Sequence, residues 1–181
     1  MKNLMIFLLG KGSYKDDPKY GVIREIAKKR QAEIFAFNAP MVHKNGFKWF
    51  DKREDIAAVN EALAFIASSI EKEIRARHLN YKDLIIAGHS QGAFLAIAIA
   101  LLKGAKEVIA LTPAFYSDKI LEEAAYKNFP IYWIEAKNDM VVNEEMKRSY
   151  KILQNAGFDV RYILSENSTH DKFEASIVEE V

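Results

Sequence analysis

The chain has 181 residues, half of them hydrophobic, enough to bury a full core and form a single domain over residues 1–181. Its 26 basic and 25 acidic side chains balance, which argues against a nucleic-acid groove or a polybasic membrane surface. There are no cysteines, so a thiol nucleophile, a disulfide framework and a thiolate metal site are excluded.

Met1-Lys2-Asn3 leads into Leu4-Met5-Ile6-Phe7-Leu8-Leu9, a superficial likeness to a secretory leader. The apolar run is only six residues long, and Gly10-Lys11-Gly12-Ser13 after it offers no Ala-x-Ala-type cleavage site. Leu4–Leu9 therefore reads as a parallel strand covered on both faces. Glu33–Phe37 is the next strand, and the connection from Phe37 to Phe50 leaves its carboxyl end. That connection carries Met41, Phe47, Trp49 and Phe50, an apolar density unusual for a loop. These side chains are expected either to wall a substrate pocket or to pack against the sheet and the start of the next helix.

Glu54–His78 repeats Ile56, Val59, Leu63, Ile66, Ile70 and Ile74 at steps of three and four, which predicts a helix with one buried stripe. Leu84–Ala87 is a strand, and Ala93–Leu102, apolar on nearly every side, a helix packed deep against the sheet. Strands follow at Glu107–Leu111, Ile131–Glu135 and Val160–Leu164. Between the last two, Asn143-Glu144-Glu145 reads as a helix start and Gly157 as a helix C-cap. Strand alternating with helix implies a six-stranded, mostly parallel sheet with right-handed crossovers and helices on both faces. No stretch reaches the ~18 apolar residues of a membrane span. The expectation is a soluble, cytoplasmic protein.

Chemistry concentrates at Gly88-His89-Ser90-Gln91-Gly92, a G-x-S-x-G sequence between an apolar strand and an apolar helix. A sharp strand-to-helix turn strains the serine backbone and crowds the residues two before and two after it, where glycine removes the clashing Cβ atoms. Ser90 Oγ would then stand above the carboxyl end of the sheet, where open α/β folds bind ligands. The alternative is a serine that only caps the following helix.

A serine hydroxyl needs a base, and the base an orienting carboxylate. Around such a turn they follow in the order Ser, Asp or Glu, His, on loops after later strands. Asp139 follows Ile131–Glu135 and His170 follows Val160–Leu164, so both stand where the order places them. Asp118 is the reserve acid. His78 reads as a solvated helix-end residue, His43 as a surface or substrate-loop residue, and His89 as packing beside the site. Asp171 reads as the start of the last helix, and Asp159 opens a strand at the far end of the sheet. None of the four histidines has the i, i+4 spacing of a zinc site, so no metal is expected.

Four segments resemble the phospholipase/carboxylesterase group of the α/β-hydrolases, which includes acyl-protein thioesterases and small bacterial carboxylesterases. They are Leu8-Leu9-Gly10-Lys11-Gly12, the stretch from Phe37-Asn38-Ala39-Pro40 to Lys48-Trp49-Phe50-Asp51, the Ser90 turn with its Gln91, and Asp139-Met140-Val141-Val142 with His170. The resemblance implies an α/β-hydrolase fold and hydrolysis of carboxylic esters with no cofactor. It also implies an oxyanion hole from the backbone N–H groups of Lys11 and Gln91. The chain departs from the group at Leu9, where histidine is usual, at Ala93, where a second glycine is common, and at Ala136-Lys137-Asn138, where the turn usually carries glycine. It begins at what would be these relatives' third strand, which implies an open site without a lid.

The reading is therefore a metal-independent serine hydrolase acting on short-to-medium acyl esters, with Ser90, His170 and Asp139 as its triad and Met41, Phe47, Trp49 and Phe50 as its substrate wall. Its partner is a small-molecule ester or thioester, and the chain is a monomer or homodimer. Thioesterase or peptidase action by the same triad, and a silent binding module of the same fold, are the alternatives.

Overall fold

The computed structural model describes residues 3–52, 54–113, 118–142 and 149–181. All six expected strands form: β1 (Asn3–Leu8), β2 (Ala32–Ala36), β5 (Leu84–His89), β6 (Glu107–Leu111), β7 (Ile131–Ala136) and β8 (Val160–Ser165). They pair in the order β2-β1-β5-β6-β7-β8, each pairing parallel.

Continuous apolar strands arise because the sheet is covered twice. Along β1 and just beyond it, Leu4, Ile6 and Leu8 enter one core while Met5, Phe7 and Leu9 enter the other. The first core is closed by α2 (Ile56–Arg77) and α3 (Gln91–Lys103), the second by α1 (Gly21–Lys29) and the short helix Ile177–Glu180. In α3 every residue from Gly92 to Leu101 is buried, as an all-round apolar helix requires. In α2 the stripe holds from Val59 through Ile70, Ile74 is partly buried, and Ile56 stays exposed at the helix start. The Asp55 side chain caps α2 by accepting from the Ala58 N–H.

Neither α1 nor a hairpin of β3 (Met41–His43) with β4 (Gly46–Lys48) inside the Phe37–Phe50 connection was expected. Gly157 does terminate a helix, Tyr150–Asn155. It lies at φ +86°, its N–H donating to Gln154 O and that of Phe158 to Leu153 O. The expected helix start at Asn143-Glu144-Glu145 lies outside the described residues. Asp171 does not start the last helix, which begins at Ile177; it sits instead in a turn closed by the Thr169–Lys172 bridge.

Because the strands are parallel, the segments after β1, β5, β7 and β8 all emerge at one edge of the sheet. Gly10–Gly12, Ser90, Asp139 and His170 each lie in such a segment. Among the described residues no helix is long and apolar enough to cross a membrane.

Candidate active site

Ser90 occupies the one-residue turn between β5 and α3, at φ +53° and ψ −116°. A left-handed φ on a non-glycine residue of this kind costs about 1–3 kcal/mol and persists only where the surroundings impose it. Here they do. The Ser90 N–H donates to Leu111 O at 2.9 Å, fastening the turn to β6. A Cβ on Gly88 would lie 2.3 Å from Gly92 O, and one on Gly92 would lie 2.2 Å from Leu8 O. Ser90 makes no side-chain hydrogen bond to the helix it precedes, so it is not serving as a cap.

Across the cleft, His170 Nδ1 donates to Asp139 Oδ2 at 2.7 Å. The other oxygen, Oδ1, accepts from the Val141 N–H at 2.7 Å and the Val142 N–H at 3.0 Å. Burial alone would raise the Asp139 carboxyl. The bonds from His170 and from these two amides outweigh it and hold the group below the usual carboxylate range. Backbone bonds from Lys137 to Ser165 O and from Asn138 to Ser168 O tie the turn bearing Asp139 to the loop bearing His170. Ser90 and His170 line one cleft of about 560 Å³. No hydrogen bond joins their side chains among the described residues; such bonds commonly tighten only around a substrate.

Lys11 and Gln91 line the same cleft, and neither backbone N–H donates a hydrogen bond among the described residues. The neighbouring Gly12 N–H, by contrast, is bonded to Phe47 O at 2.7 Å.

Of the four expected substrate residues only Phe50 reaches the cleft, where it meets Phe94 edge-on at 6.1 Å. Trp49 is a correction: it is 2 % exposed, its indole N–H donates to Leu9 O at 2.8 Å, and its ring meets Phe37 and Phe65. An indole with its N–H bonded inward fills the core rather than a pocket. Met41 is exposed on β3 and does not line the cleft, and Phe47 packs against the core while its backbone braces Gly12 and Ser13. The segment instead supports the Ser90 turn. The Gln91 side chain accepts from the Trp49 N–H and donates to Phe50 O, both at 2.9 Å. Trp49→Ala is accordingly expected to lower unfolding free energy by about 3–5 kcal/mol in a urea titration and to leave acyl-chain preference unchanged. Unaltered stability with altered preference would return Trp49 to the pocket.

His43, a surface candidate, lines the cleft, and His78 ends α2 in the left-handed conformation. Asp159 pairs with Arg161, away from the cleft. Asp118 begins a short helix, Asp118–Glu122; its side chain lies outside the described residues. His89 holds more than packing. It is 2 % exposed, with Nε2 2.6 Å from His170 O and Nδ1 3.4 Å from Tyr20 Oη. Burial, then the proximity of His170, push its pKa down to about 3, so the ring is neutral near pH 7. Neither Tyr20 nor this role of His89 was foreseen, because both depend on partners distant in sequence. Among the described residues no three histidine or carboxylate side chains are grouped to hold a metal ion.

Known proteins share this architecture. The structure of an esterase designated PE8 is 25% identical, covers 99% of this chain and 89% of its own, and superposes with a TM-score of 0.85. SOBER1 of Arabidopsis thaliana is 20% identical with a TM-score of 0.83, covering 99% and 95%. A carboxylesterase from Mesorhizobium loti is 19% identical with a TM-score of 0.81, covering 99% and 88%. The fold is that of the α/β-hydrolases. No curated protein sequence matches the chain closely. The phospholipase/carboxylesterase family model matches residues 2–178, nearly the whole chain; the protein belongs to that family and is a carboxylic ester hydrolase.

Proposed function

We propose that the protein cleaves short-to-medium acyl esters through an acyl-enzyme on Ser90. The observation that carries the reading is the 2.7 Å His170–Asp139 hydrogen bond in the cleft that also holds the strained Ser90 turn. In the first step Ser90 Oγ attacks the ester carbonyl and its proton passes to His170 Nε2. Asp139 keeps the Nδ1–H tautomer and balances the imidazolium. The amides of Lys11 and Gln91 hold the oxyanion, each donor contributing about 3–4 kcal/mol at the transition state. His170 returns the proton to the leaving alcohol, and a water activated by the same base releases the acid.

The test combines labelling with turnover. A fluorophosphonate probe is expected to modify the protein once, at Ser90 as located by peptide mass spectrometry, with or without EDTA. p-Nitrophenyl esters from acetate upward should gain in kcat/KM by up to ~0.8 kcal/mol per buried methylene until the Phe50–Phe94 wall is covered. Absence of labelling, or labelling at another residue, rejects the reading.

A further inference from the structure

We infer that His89 is a positioning residue for the His170 base and that Tyr20 joins the two of them to the oxyanion loop, in one directed chain of hydrogen bonds. The inference rests on the Ser90–His170 reading above. Its starting point is a buried imidazole with both nitrogens engaged. A backbone carbonyl can only accept, so the 2.6 Å contact to His170 O places the proton on Nε2. Nδ1 is then a bare acceptor, and the group facing it at 3.4 Å is the Tyr20 hydroxyl, which must donate. The Tyr20 oxygen in turn accepts the Gly10 N–H at 3.0 Å. Donors and acceptors therefore run in one sense, from Gly10 through Tyr20 and His89 to the carbonyl of His170.

Both ends of this chain are catalytic segments. Gly10 precedes Lys11, the oxyanion donor, and His170 is the base. Packing holds the chain in place. Tyr20 sits edge-on to Phe7 at 4.7 Å, and the His89 ring lies 4.9 Å from that of His170 and 6.1 Å from Phe173. A Cβ on Gly10 would lie 2.5 Å from His89 Nδ1, so glycine there makes the space the imidazole fills. A second tie runs alongside, from Lys19 Nζ to Asp171 Oδ1 at 2.8 Å, joining the residues next to Tyr20 and His170. The low proton affinity of the buried ring keeps the chain intact across the working range of a histidine base.

Gripping the His170 carbonyl fixes the backbone of the one residue whose side chain must face Asp139 and Ser90 together. Displacements of ~1 Å at such a group cost on the order of 10²-fold in rate.

The experiment uses the full chain and p-nitrophenyl butyrate. His89→Leu, similar in size but without a donor, should lower kcat by a factor between about 10 and 10² while KM stays near the wild-type value. His89→Gln, whose amide N–H can reach the same carbonyl, should recover most of that loss. Tyr20→Phe should lower kcat alone, yet add nothing to His89→Leu, since the chain is already broken. In histidine-¹⁵N spectra His89 should be protonated at Nε2 and bare at Nδ1, a readout independent of turnover. Wild-type kcat in His89→Leu with only a lower melting temperature overturns the inference. So does a Gln variant no better than Leu, multiplying losses in the double variant, or the opposite tautomer. Labelling of wild-type protein at Ser90 separates the cases. Labelled wild type with an indifferent His89 defeats this inference alone, and unlabelled wild type defeats the reading beneath it.

Discussion

Ser90→Ala is expected to lower kcat on p-nitrophenyl esters by about 10⁶ if the three residues act as a unit. The change removes one oxygen that makes no capping bond, and leaves in place the Leu111 anchor and the two glycine contacts that shape the turn. Stability should therefore stay near that of the wild type, and the loss belongs to chemistry. Turnover within tenfold of wild type, in protein free of contaminating esterase, would remove Ser90 from the mechanism.

Asp139→Asn should be the next most damaging single change, at about 10⁴ in kcat. The side chain keeps its size, but the site offers it no good orientation. With its NH₂ toward His170, Nδ1 becomes an acceptor and Nε2 carries the proton, so the ring cannot take one from Ser90. With its oxygen toward His170, the NH₂ faces the N–H groups of Val141 and Val142, donors against donors. Against the cost of its burial, the bonds from His170 and from the Val142 and Val141 amides hold the carboxylate ionised, its pKa lowered. A lowered folded pKa contributes stability that is complete above the ~3.9 of an unfolded aspartate and is lost as pH falls below it toward the folded value. Unfolding free energy of the wild type should thus decline through that acid window, and that of Asp139→Asn should decline less. Parallel declines, or an Asn variant with kcat near wild type, would contradict the assignment.

The strands were legible because each central one is apolar on both sides, and the order of Ser90, Asp139 and His170 was legible because parallel strands carry their following loops to one edge. What escaped the sequence shares a different character. The helix Gly21–Lys29 buries Ile23, Ile26 and Ala27 at helical spacing, but it is nine residues long, a short run that periodicity marks weakly. The Met41–Lys48 hairpin has three residues per strand and leaves Val42 75% exposed, so no alternation marks it. Trp49 looks like a pocket residue until Leu9 O, 40 positions away, claims its N–H. His89 reads as packing from the sequence because its partner, the His170 carbonyl, is 81 positions distant and invisible to any local pattern. Local periodicity reports burial; which polar atom meets which is decided by the assembled sheet.

The placement of β1 also sets a timetable for biosynthesis. It leaves the ribosome before both of its partners, yet it ends between β2 and β5, with Leu4 opposite Leu84. At about 5–20 residues per second, the ~80 residues separating those partners take roughly 4–16 s to appear. Throughout that interval one flank of a strand buried from Leu4 to Leu8 has neither its neighbour nor the α3 cover that follows. A nascent chain of this design gains from holding Leu4–Leu9 shielded until Ser90 and the helix behind it have left the exit tunnel.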